Sequence, residues 1–322
     1  MKLTETVHRT WPLVGTALAL AVGALMAGLD APEGAPASAG EVAVVGAEGV
    51  PEVLGTTLPL HVTPRVRKWV RRFQGDQRKE FQRLLSRQGV YADLIRGKLR
   101  ERGMPEELLY MAMMESGLSP WAVSKVSAVG VWQFMGPTAR QYGLRVDPWV
   151  DERRDPVRAT DAALDYLQWL YERYGSWYMA AAAYNAGPGR VDRVLRRYAP
   201  GRRGEEELYW EVLEHLPRET REYVPRMVAA TLLARNPEAF GFALEEREPY
   251  RYEQVIVPGS TPLAAVARAL GVSSRAVREL NPHLLRGVTP PGEAYPVRVP
   301  VGEGPRVVTS LTGRGGTRSA DD

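Results

Sequence analysis

The chain has 322 residues, 44% hydrophobic and 25% charged, an ordinary globular composition with room for one large or two modest domains. It has no cysteine, which excludes disulfide scaffolds, thiolate metal sites, cysteine nucleophiles and lipoprotein acylation. Its histidines, His8, His61, His215 and His283, are too scattered for a metal-ligand motif, so no metal is expected, and the net charge of +4 permits an acidic partner without choosing one.

The first ten residues carry Lys2 and Arg9, and Trp11 to Leu29 then runs without a charge. That run approaches the ~20 residues that span a bilayer and exceeds a usual signal core. Ala35-Pro-Ala37 and Ala37-Ser-Ala39 supply cleavage patterns, so residues 1–29 are expected to be a signal peptide or a membrane anchor. Either role places the remainder outside the cytoplasm, which argues against nucleic acid as a partner. Residues 30–64, rich in Ala, Gly, Pro and Glu, are expected to be a linker.

Helical patterning then begins. Thr63 is a candidate N-cap with Pro64 at the first helical position, and Val66, Trp69, Val70 and Phe73 fall on one face. Arg65, Arg67, Lys68, Arg71 and Arg72 lie on the other, as a solvated face of a core-packed helix. Two helices follow over Gln77–Ser86 and Val90–Arg102, the second closed by Gly103. Further helices are predicted over Pro105–Ser116, Pro137–Tyr142, Pro156–Tyr174, Trp177–Ala183, Arg190–Tyr198, Glu205–Leu216 and Thr220–Arg235. After Pro249 the texture changes to a strand at Tyr252–Val257, helices at Leu263–Leu270 and Ser274–Leu280, and a strand at Val297–Val299. This is a small βααβ module with its own pattern, over residues 250–302. Residues 303–322 offer little to bury and are expected to be disordered.

The helix from Pro105 places Leu108, Met111, Ala112 and Glu115 at i, i+3, i+4 and i+7, so an otherwise apolar stripe ends in a carboxylic acid. A carboxyl in such a place either finds a partner or has its pKa raised by desolvation, and a raised pKa suits a general acid. Three ordered motifs accompany it: Glu115-Ser116, then Ser124-x-x-x-Ala128-x-Gly130-x-x-Gln133, then Ala183-Tyr184-Asn185-Ala186-Gly187. Asp151-Glu-Arg-Arg-Asp-Pro156 and Pro217-Arg-Glu-Thr-Arg-Glu-Tyr-Val-Pro225 stand at supporting positions. In this order and spacing the chain resembles the soluble lytic transglycosylase family of peptidoglycan enzymes, most closely its membrane-bound D-type branch, over roughly residues 65–245.

The resemblance implies a mainly α protein with a goose-lysozyme-like helical catalytic domain and one glutamate, Glu115, as sole acid and base. It implies cleavage of glycan strands with formation of a 1,6-anhydro-N-acetylmuramic acid end, without metal or cofactor. Ser124 and Gln133 match polar groove positions, Tyr184 a tyrosine whose hydroxyl lies near the acid, Asn185 a groove or loop-shaping residue, and Tyr223 a residue that approaches the same site. Ser127 stands where many relatives have glycine. A structural role remains open for several of these: Gln133 as a support of loop backbone, Asn185 as part of a helix-end turn. A hydrolase would need a second carboxylate, for which Asp147, Asp151, Glu152 and Asp155 are candidates, Asp151 foremost; Asp155, before Pro156, reads as a helix N-cap. The C-terminal module resembles a LysM domain, which implies binding to N-acetylglucosamine polymers. Its opening turn departs from that pattern, with Gly259-Ser-Thr-Pro262 in place of Gly-Asp-Thr-Leu. A purely wall-binding, non-catalytic role is the alternative from another class.

Overall fold

The computed structural model describes residues 57–312. The expected leader and most of the expected linker lie outside the described residues, and among the described ones no helix is long and apolar enough to cross a membrane. The architecture is mainly α, with one small two-stranded sheet.

Helix α1 (Pro64–Gln74) starts as its sequence directs, with the Thr63 hydroxyl accepting from the Val66 amide and Pro64 in the first turn. It buries Val66, Trp69 and Phe73, while Arg65 on its other face pairs with Glu214 and Glu222. The end of the expected linker is not a free tether: Leu58 is fully buried, the Tyr178 hydroxyl donates to the Pro59 carbonyl, and the Trp210 indole donates to His61 Nδ1 at 2.9 Å. The two helices expected over 77–102 form one, α2 (Arg78–Glu101). Gly89 and Gly97 each weaken a helix interior by about 1 kcal/mol, but the stripe Phe81, Leu85, Gln88, Ala92, Ile95 and Leu99 runs unbroken past both. Burial of that stripe outweighs local propensity.

Helices α3 (Leu109–Ser116), α4 (Gly136–Gln141), α5 (Pro156–Tyr174), α6 (Trp177–Ala186), α7 (Pro188–Tyr198), α8 (Glu207–Val212) and α9 (Arg218–Arg235) complete the helical domain. The alanine-rich α6 is buried almost all round and packs against α5, α7, α8 and α9, since small side chains let four neighbours approach. Helix α9 crosses α1, α3 and α6 and contains Pro225. Proline removes the bond to the carbonyl four residues back, and here the Tyr209 hydroxyl donates to that Arg221 carbonyl at 3.2 Å. The helix therefore continues and carries Tyr223 and Arg226 up to the end of α3.

The C-terminal module pairs β1 (Glu253–Val257) with β2 (Tyr295–Val299), antiparallel, with Val255 opposite Val297. Helices α10 (Leu263–Leu270) and α11 (Ser274–Leu280) lie between them in sequence and bury Leu263, Val266, Leu270 and Val277 against the sheet. The expectation of disorder from residue 303 is corrected over 304–312: these residues form helix α12 (Gly304–Thr312), which packs against β1 and α10. Val307 and Leu311, one turn apart, supply the apolar face, with Val307 fully buried. Residues 313–322 lie outside the described range.

Candidate active site

Glu115 stands on the last turn of α3, just before Gly117, whose left-handed conformation ends the helix. Residues Leu109–Met114 are buried, but Glu115 itself is half-buried and faces out of the core. The Tyr223 hydroxyl donates to its Oε1 at 2.7 Å. Arg226, one turn farther along α9, donates from Nη2 to the Met114 carbonyl at 2.7 Å, which fixes its charge beside the carboxyl. Desolvation dominates and pushes the Glu115 pKa from 4.5 up to about 7; the Tyr223 hydrogen bond and the Arg226 charge pull it down, and the Glu219 charge adds to the rise. A carboxyl with its pKa near 7 is about half protonated at neutral pH and can give or take a proton with little driving force. Burial, with the Glu115 charge adding to it, keeps the Tyr223 and Tyr184 hydroxyls protonated, so both act as donors.

The loop after α3 forms the neighbouring wall. Val129 bridges to both Val123 and Phe134, the Ser124 amide donates to the Ala128 carbonyl, and the Ser124 hydroxyl accepts from the Ala128 amide, each at 2.9 Å. Ser127 takes the left-handed region with φ 64°, as does Gln133 with φ 49°, a conformation that disfavours side chains. The Ser127 backbone is thus the one a glycine would provide, kept with a serine. Gln133 donates from Nε2 to the Gly130 carbonyl at 2.9 Å, which supports loop backbone. Trp121 and Val123 stand exposed on the loop's outer edge and give the wall an apolar lip.

The two tyrosines, both within reach of the Glu115 charge, divide their duties. Tyr223 bonds the carboxyl, whereas the Tyr184 hydroxyl donates to the Trp132 carbonyl at 2.8 Å and so holds the loop. Asn185 is buried on α6; its Oδ1 accepts from the Thr220 hydroxyl at 2.7 Å and its Nδ2 donates to Glu219 at 3.3 Å, tying α6 to the start of α9. Glu115, Tyr184, Asn185 and Tyr223 are thereby gathered around the α3, α6 and α9 junction, while Ser124 and Gln133 shape the loop beside it.

The four carboxylates weighed as a second acid are otherwise engaged. Asp147 accepts from the Trp149 and Val150 amides and from Arg145, and both oxygens of Asp151 accept from Arg153 at 2.8 Å. Glu152 accepts from the Arg145 amide at 2.7 Å. Asp155 caps α5 through the Val157 and Arg158 amides and also pairs with Arg298. The carboxylate whose charge reaches Glu115 is instead Glu219, which the motifs did not single out. Its signal was available: Glu219, Tyr223 and Arg226 fall at i, i+4 and i+7 on α9 and share a face. Among the described residues no group of three or more His, Asp or Glu converges as a metal site would require.

The transglycosylase SLT domain family model matches residues 94–205, which hold Glu115, the loop and α6. The model of the LysM-like domain of lytic transglycosylase MltD matches residues 251–313, α12 included. Residues 94–205 are thus similar to an SLT domain, and residues 251–313 to a D-type LysM-like domain. Membrane-bound lytic murein transglycosylase D of Escherichia coli is 34% identical over 193 residues, covering 59% of this chain and 42% of that protein. Soluble lytic murein transglycosylase of the same species is 31% identical over 108 residues, covering 32% of this chain and 17% of its own length. The chain thus spans less than half the length of these relatives. Among solved structures, the 70 kDa soluble lytic transglycosylase of Escherichia coli aligns with a TM-score of 0.39 and 22% identity, over 58% of this chain and 33% of that one.

Proposed function

We propose that the chain is a peptidoglycan lytic transglycosylase that works in the cell envelope, with Glu115 as its single acid and base. The observation that carries this is a carboxyl poised near neutrality, bonded by Tyr223, while Asp147, Asp151, Glu152 and Asp155 are all tied up elsewhere. Protonated Glu115 donates its proton to the glycosidic oxygen leaving N-acetylmuramic acid. The resulting carboxylate then takes the proton of that sugar's C6 hydroxyl as the hydroxyl oxygen closes on C1. One bond to C1 breaks, one forms, and Glu115 ends as it began. The internal hydroxyl outcompetes water because the sugar ring holds it at high effective concentration. Tyr223 fixes the carboxyl, Arg226 stabilises its anionic form between the two transfers, and Gln133, Ser124, Asn185 and Tyr184 maintain the groove walls. The membrane-bound D-type relative and the lipid-length N-terminal run support an envelope location, with peptidoglycan strands as the substrate partner.

The product decides between this chemistry and hydrolysis. Mass spectrometry of digested sacculi should find anhydro-muramic ends, lighter than reducing ends by one water and inert to borohydride. Reducing ends as the main product would replace the transglycosylase by a muramidase, with Glu219 as the group to test for activating water.

A further inference from the structure

The C-terminal module has its own sheet and helices, which suits a separately tethered binding unit, yet its seat on the helical domain is built like a core. Val150 belongs to the module's apolar cluster and bridges to Leu284, and the Leu285 amide donates to the Trp149 carbonyl at 3.0 Å. The Asp151 amide donates to the His283 carbonyl at 3.0 Å, and the Tyr250 amide donates to the Val90 carbonyl of α2 at 2.8 Å. At the centre, Arg298 of β2 donates from Nη2 to both oxygens of Asp155, at 2.8 and 2.7 Å, and from Nη1 to the Tyr250 hydroxyl at 3.0 Å. Both members of this pair are buried, as is His283 beside them. This short contact, shielded from water, ties β2 to the head of α5.

The segment gripped in this way is the outer support of the groove. Arg153, fixed by Asp151, donates from Nη1 to the Ser127 carbonyl at 3.1 Å and to the Phe134 carbonyl at 3.2 Å. Gly130 lies so close to the Arg153 carbonyl that a Cβ there would collide with it. The Trp132 indole donates to Thr160 on α5 at 2.9 Å. On the loop's inner side the Tyr184 hydroxyl reaches the Trp132 carbonyl and the Ser116 hydroxyl reaches the Val131 carbonyl at 2.7 Å, next to Glu115. The loop is therefore clamped between the acid's own helix and a segment whose far side is held by the module.

We propose that the C-terminal module is a fixed buttress of the catalytic groove, with Asp155 and Arg298 as positioning residues that set residues 147–155 against the 122–134 loop. Only the turnover arm of the test rests on the transglycosylase reading. The full-length double variant D155N/R298M removes both buried charges together, so neither is stranded, and the asparagine side chain still caps α5. Turnover is measured on a soluble tetrasaccharide, and amide hydrogen exchange is followed over residues 122–134. Since a displacement of about 1 Å at a site of chemistry can cost about 100-fold, kcat should fall about tenfold or more with KM little changed. Exchange of the loop amides should quicken, and R298K should recover part of both effects, because an ammonium can still bridge the two oxygens. Loop exchange equal to the parent's overturns the proposal, and so does faster exchange with unchanged kcat. A parent without turnover would defeat the transglycosylase reading, and the exchange arm would still decide whether the module braces the loop.

Discussion

Replacing Glu115 by glutamine should remove activity and stabilise the protein at the same time, in a pH-dependent way. The folded protein holds the Glu115 proton up to about 7, against 4.5 when exposed, because ionisation in the desolvated niche is costly. Below the unfolded pKa both states carry the proton and this group adds no penalty. As pH rises through 4.5 the unfolded chain loses its proton while the folded one keeps it, so folded stability drains away until the folded pKa is passed. Between about pH 4 and about pH 8 the loss is about 3 kcal/mol, at 1.36 kcal/mol per unit, an upper figure because the side chain is only half-buried. Glutamine does not ionise, and its carbonyl can still accept from Tyr223. The melting temperature of E115Q relative to the parent should therefore climb between those pH values, by up to ~6–12 °C at about 2–4 °C per kcal/mol. Turnover should fall by more than ~10²-fold. Thermal melts of both proteins across the pH series are the assay. A gap that stays constant with pH would show that Glu115 is not held protonated by burial, and the general-acid assignment would lose its physical basis.

Catalysis should decline as pH rises through about 7, the point at which Glu115 loses its proton. Tyr223→Phe removes a hydrogen bond that favours the anion, so the alkaline limb of kcat should move up by about one unit, whereas Glu219→Gln removes a repelling charge and should move it down by less than that. Limbs that shift together, or in the reverse order, would contradict the electrostatics assigned to this site. Gly130→Ala requires φ 83° of an alanine and drives a methyl into the Arg153 carbonyl, so chemical denaturation should show a loss of about 3 kcal/mol or more. Val307→Asp buries a carboxylate under α12; circular dichroism melts should show the module destabilised by at least ~3 kcal/mol, and an unchanged melt would mean that this helix does not pack on the sheet.

Periodicity and capping chemistry were enough to place Thr63 and Pro64 at the start of α1 and Asp155 at the head of α5, because caps and first turns depend on neighbours in sequence. Glu115 was singled out only by the stripe and the motifs after it together, because the stripe alone leaves open whether its carboxyl finds a partner or is desolvated. The single helix α2 was hidden by Gly89, whose local cost is overridden by a stripe that pays off only once α1, α3 and α5 cover it. Likewise only Val307 and Leu311 of α12 meet the module's core, too few in a polar tail to signal a helix until the sheet gives them a surface. Which tyrosine bonds the acid, and that the Arg226 and Glu219 charges act on a pKa raised mainly by burial, depended on where α9 crosses α3. That crossing comes from the packing of α9 on α1, α3 and α6, and the Tyr209 hydroxyl meets the Arg221 carbonyl freed by Pro225. The sequence by itself determined the apolar stripe that ends in Glu115, the order of the motifs that follow it and the βααβ pattern of the module. Tertiary structure alone decided that Arg298 neutralises Asp155 across 143 residues of chain, because a buried charge is satisfied by whatever the fold brings within reach, at any separation.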